Sequence, residues 1–109
     1  MSQSIKPAWE GMRTEQTRDV ENLFRKTFPQ TDAYRYNSAS IRVRVIDDRF
    51  EGKSDDEREA MVQPILDQFP PRTREDIINL LTLSPSEVTR FNRKTLLNDE
   101  FDDPSPSRL

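Results

Sequence analysis

The run SIRVRVIDDRFEGKSDDE, from Ser40 to Glu57, constrains the fold more than any other part of the chain. Ile41, Val43 and Val45 project to one face while Arg42 and Arg44 project to the other. That period of two marks a strand with one buried side. The turn Asp47 to Lys53 follows, and Gly52 within it can take a backbone conformation closed to other residues. Ser54 and Glu57 then have the spacing of a capping box, in which each side chain satisfies an orphan backbone donor at a helix start.

The elements around this run can be read in the same way. Val20, Leu23, Phe24 and Phe28 recur at helical spacing after Thr14 and predict a first helix closed by Pro29. The stretch DAYRYN suits a short strand with Tyr34 and Tyr36 on one side and Ala33 and Arg35 on the other. Asn37 to Ser40 supplies turn chemistry, so the two strands are expected to pair antiparallel. The second helix is predicted to run from about Asp55 with Ala60, Met61, Ile65, Leu66 and Phe69 inward. Pro64 predicts either a kink or two short helices meeting near Val62 to Gln63. Thr73 is expected to cap a helical turn through Asp76, and the apolar run Ile77 to Leu83 reads as a central strand. Ser84, Pro85 and Glu87 mark the start of a last helix carrying Val88, Phe91 and Thr95 on one stripe, with Arg90, Arg93 and Lys94 near its end.

The expected class is therefore α+β, a three-stranded mixed sheet with helices on one face in the order α-β-β-α-(α)-β-α. Residues 1–13 read as an irregular arm whose large anchor, Trp9, either folds back onto the domain or contacts a partner. Residues 14–97 form a single domain, and residues 98–109 read as a disordered acidic tail with Phe101 as a hook.

Inventory excludes much chemistry, because the chain has no histidine and no cysteine. Soft metal sites, disulfides, thiolate cluster ligation and Ser/His or Cys/His nucleophile pairs all require one or the other. With 17 basic and 20 acidic residues the net charge is −3, unlike the strongly basic field of a dedicated nucleic-acid binder. A long apolar stretch is absent, so neither a membrane span nor a signal-peptide core is expected, and the default location is cytoplasmic.

From about Val20 to Phe91 the chain resembles the BolA family. The resemblance rests on the strand leading into Asp48-Arg49-Phe50 with Gly52 beyond it, on Arg58 and Met61 in the next helix, and on a third strand ending in Ser84-Pro85-Ser86-Glu87. It implies a topology like the second type of KH domain. It also implies roles as regulators, as DNA-binding factors, or as partners of monothiol glutaredoxins that handle [2Fe-2S] clusters. Where relatives carry a histidine after the arginine that Arg58 resembles, this chain has Glu59. Where they carry the cluster-ligating histidine, counting back from Glu87 falls near Asp76, and the loop that supplies a second ligand reads Asn37-Ser38-Ala39. A carboxylate is a hard oxygen ligand poorly matched to cluster iron, so no cofactor is expected. What the resemblance still implies is a non-enzymatic adaptor or regulator with a protein partner, a monothiol glutaredoxin being the concrete one. The expected contact residues are Asp48, Arg49, Phe50, Gly52, Arg58, Glu59 and Asp76, grouped at the strand ends.

The alternative is nucleic-acid binding through Arg35, Arg42 and Arg44, with Tyr34 or Tyr36 as stacking platforms. Against it, no phosphate-clamping GxxG loop is present, and Asp47, Asp48 and Glu51 beside Gly52 repel phosphate. The acids from Asp47 to Glu59 lack the alternating donors of an EF-hand and suit a solvated helix start. Glu59 and Asp76 would do acid–base work only if the fold brought them together.

Overall fold

The fold is that of a computed structural model, which describes residues 11–90. Trp9, the helix positions Phe91, Arg93, Lys94 and Thr95, and the tail with Phe101 lie outside the described residues. The elements are α1 (Glu15–Arg25), β1 (Thr31–Asn37), β2 (Ser40–Ile46), a 3-10 turn (Asp48–Phe50), α2 (Asp55–Leu66), α3 (Pro71–Asp76), β3 (Ile77–Leu83) and α4 (Pro85–Arg90). The order and the α+β class are those expected. The sheet runs β1-β2-β3, with β1 antiparallel to β2 and β3 parallel to it.

Local chemistry explains most boundaries. Thr14 caps α1 with Thr17 as its reciprocal partner, Thr17 N donating to Thr14 Oγ1 at 3.2 Å and Thr14 N to Thr17 Oγ1 at 2.8 Å. The Asn37 side chain accepts from Ala39 N at 2.8 Å and closes the β1–β2 turn. Ser54 and Glu57 form the expected capping box, and Ser84 and Glu87 exchange the same pair of bonds at 3.4 and 2.8 Å.

Ala33, Ile41, Val43 and Val45 line one face of the sheet. They pack against Val20 and Phe24 of α1, Val62 and Ile65 of α2, and the flanking Phe28, Phe50 and Phe69. Phe24 stacks on Phe69 at 6.2 Å and Phe28 on Phe50 at 5.3 Å, so the residues just after α1 and β2 are tied to the same core.

Several expectations are corrected. β3 is an edge strand, not a central one; its apolar run is long because Leu81 and Leu83 fill the opposite face, with Tyr34 and with Ile46 and Val88 respectively. Not every helix covers one face, since Val88 of α4 clusters with Ile46 and Leu83 on that opposite face. Of the two outcomes expected at Pro64, separate short helices are not formed, since α2 is one helix through it: Ala60, whose carbonyl loses its partner there, and Pro64 itself both face solvent. Ala60 is accordingly exposed, and the buried stripe of α2 is Arg58, Val62 and Ile65. α3 begins at Pro71, with Thr73 buried inside it and accepting from Gln16 Nε2 at 3.1 Å, so Thr73 is not its cap.

Candidate functional site

The turn from Asp47 to Lys53 is held from within. The Asp47 carboxylate accepts from Arg49 N at 2.9 Å, from its Nε at 2.8 Å and from its Nη2 at 3.0 Å. Those Arg49 hydrogen bonds hold the Asp47 carboxyl below its ordinary range and raise the Arg49 guanidinium above its own. Arg49 also lies 4.6 Å over the Phe28 ring and donates to Thr27 O at 2.5 Å. Phe50 is fully buried beneath the turn, and Gly52 takes φ +75°, the left-handed region for which glycine is suited.

Arg58 locks the turn to the end of the sheet. It is only 7% exposed, and it donates to Lys53 O at 3.0 Å, to Thr82 O at 2.7 Å and to both oxygens of Glu87 at 2.8 and 3.0 Å. A two-pronged guanidinium–carboxylate pair of this kind fixes geometry as well as charge. Burial works against ionisation of Glu87. The Arg58 bonds, the Ser84 N–H and the attraction of Arg58 together outweigh it and hold the Glu87 pKa below the ordinary value. Ser86 Oγ donates to Glu51 at 2.6 Å and joins the start of α4 to the same turn. The outer surface is acidic: Asp48, Glu51, Asp55, Asp56, Glu57 and Glu59 are exposed with Lys53. Glu57, accepting from Ser54 N, has its pKa lowered by that bond.

Of the expected contact residues, Asp48, Arg49, Gly52 and Glu59 reach this surface, while Phe50 and Arg58 support it from the interior. Asp76 does not join them. Ile41 pairs with Ile77 and Ile46 with Leu83, so Asp76 precedes one end of the sheet and the turn leaves the other, about 17 Å away along the strand. Asp76 instead accepts from Arg35 at 3.1 Å, and Arg35 also bonds Gln16.

The three sheet arginines are likewise divided. Arg35 faces the helices, and Arg44 is 3% exposed and paired with Asp32 at 3.0 Å. Arg42 lies beside an exposed ring, 3.8 Å over Tyr36, which is 44% exposed, and it donates to the hydroxyl of buried Tyr34 at 3.1 Å. The expected patch is therefore one arginine and one tyrosine wide.

Two carboxylates that the sequence reading passed over organise the β1 side. Glu21 accepts from Ala33 N and from Arg13 Nε, each at 2.8 Å. Asp32 pairs with Arg13, Arg25 and Arg44 at 3.0, 3.2 and 3.0 Å. Asp32 lies directly opposite Arg44 across the β1–β2 ladder. Among the described residues no three metal-ligating side chains converge. None of the helices there is long and apolar enough to cross a membrane.

Fold and site together define a small α+β protein whose described residues form a three-stranded mixed sheet, four helices and a braced acidic turn at one end of the sheet. The chain matches no known family model, no curated protein and no solved structure.

Proposed function

We propose that the chain is a BolA-like adaptor or regulatory domain, non-enzymatic, that works through contacts with another protein and without ligating an iron–sulfur cluster. The observation that carries this reading is the braced turn. Asp47, Arg49, Phe50 and Arg58 spend their bonding capacity on holding one backbone path, which leaves Asp48, Glu51, Lys53 and Glu59 on a preformed surface. A contact surface ordered before binding loses less entropy when it is used. The element order and the mixed pairing of the strands agree with the family resemblance. Glu59 and Asp76, where relatives carry histidines, supply only hard oxygen donors, and Asp76 is already bonded to Arg35.

The concrete partner is a monothiol glutaredoxin. Calorimetric titration of the full chain with the apo and the cluster-loaded partner is expected to show binding in both cases, with no cluster transferred to this chain. Absence of heat and of complex in both arms would remove that partner. A brown chain with its own charge-transfer spectrum would contradict the ligand argument.

The second reading, nucleic-acid binding, is favoured by the Arg42 guanidinium over exposed Tyr36. It predicts an affinity for single strands that falls with salt and is lost in Arg42→Glu. Salt-independent retention, or no retention, removes it.

A further inference from the structure

The two outer edges of the sheet are treated differently. On β1, Thr31 O accepts from Arg25, Ala33 N donates to Glu21, and Asn37 O accepts from Arg35. On β3, Leu83 O accepts from Asp47 N at the end of β2, so by the alternation of a parallel ladder Leu80 and Thr82 turn their backbone groups outward. Thr82 O is taken by Arg58, but among the described residues no group bonds the outward N–H and C=O of Leu80. From Ile77 to Leu83 the strand has no charge and no proline, the usual guards of an exposed edge. The pairing irregularity with β2 at Ile78 turns an isoleucine, 67% exposed, to the outside.

We propose that the β3 edge takes a second copy of this chain, antiparallel, so that two three-stranded sheets join into one. The outward N–H and C=O of Leu80, on a strand with no charge of its own, call for an extended strand. Charge selects which strand and which direction. The α3 side of β3 carries exposed Arg72 and Arg74 against exposed Glu75, Asp76 being neutralised by Arg35. The other end carries exposed Asp48, Asp55, Asp56, Glu57 and Glu59 against Lys53, exposed Arg49 being neutralised by Asp47. An antiparallel copy lays the basic end of each chain beside the acidic end of the other, twice, whereas a parallel copy lays like on like. With the two-fold axis at Leu80, that residue exchanges both backbone bonds with its own counterpart and Ile78 lies opposite Thr82. The contact closes on itself and stops at two chains.

Sedimentation velocity of the full chain over a range of concentrations, together with hydrogen exchange at Leu80, tests this. The expected result is a reversible dimer whose Leu80 amide exchanges more slowly as concentration rises. Ile78→Lys is expected to raise the dissociation constant at least about tenfold, because the axis applies the change twice. Ile78 is exposed, so the substitution spares the core, and circular dichroism checks that the variant is folded. Arg74→Glu weakens the dimer and Arg74→Glu with Asp55→Lys restores part of it. A monomer at every concentration overturns the proposal, whether its Leu80 amide is free or is protected by another part of the chain. So does a dimer that Ile78→Lys leaves unchanged.

Discussion

The outer edges of β1 and β3 face the same physical problem and show two solutions. Along β1, side chains from α1 take two outward backbone groups, Glu21 the Ala33 amide and Arg25 the Thr31 carbonyl. Along β3, among the described residues, one side chain does so, where Arg58 reaches Thr82 O. The difference follows from what lies beside each strand. α1 lies along β1 and carries Glu21 and Arg25 on successive turns, while α2 approaches the β3 edge chiefly through Arg58. A sheet of three strands has one strand with two neighbours and two without, and here, among the described residues, β1 is the more fully sealed of the two outer strands.

The largest expected effect is at the point where the β3 edge is closed. Arg58→Met leaves Glu87 half-buried without its cation and Thr82 O and Lys53 O without a donor. Chemical denaturation is expected to show a loss of about 3–5 kcal/mol, the range for breaking a buried ion pair on one side. Retention of wild-type stability would mean that the brace does not hold the turn.

Next is the sealed edge itself. Glu21→Ala removes the acceptor of Ala33 N and a partner of Arg13, at a cost of about 2–3 kcal/mol. The sharper readout is the Ala33 amide, which should pass from slow to fast hydrogen exchange in this variant. If it stays slow, Glu21 is not what seals β1. Arg25→Ala, with a side chain 41% exposed, costs about 1 kcal/mol and leaves the Ala33 amide slow.

The smallest effect is acid sensitivity. Glu87 titrates below its unfolded value when folded, so its ion pair stabilises the protein above the unfolded pKa, about 4.3 for glutamate, and is lost as pH falls through the lower folded value. Thermal melts from pH 6 to pH 3 should show a steeper fall for the native chain than for Glu87→Gln. Parallel curves would show that Glu87 is not linked to folding.

How much of this was legible in the sequence follows from the range of the forces involved. The β2 alternation and the Ser54/Glu57 and Ser84/Glu87 capping boxes act within a few residues, and each was readable. The inward turn of Arg58 was not, because its reason is a carboxylate far along the chain at Glu87. The edge position of β3 was hidden because a strand buried on both faces and one half-covered by α4 present the same apolar run. Counting pairs back from the Asn37–Ser40 turn puts Arg44 one residue off its true partner Asp32. The register shifts between Arg35 and Asn37, and no residue there announces it. That Asp48, Arg49 and Gly52 share one exposed turn was readable, whereas the place of Asp76 at the other end of the sheet was not, because it depends on strand direction.

The central claim is that partner contact runs through the braced turn and not through the arginine face of the sheet. Amide chemical-shift mapping of the full chain, titrated with a monothiol glutaredoxin, tests it most directly. The account predicts shifts concentrated at Asp48, Arg49, Gly52, Lys53 and Glu59 that saturate together. Shifts confined to Tyr36 and Arg42, or no shifts at an excess of partner, would contradict it.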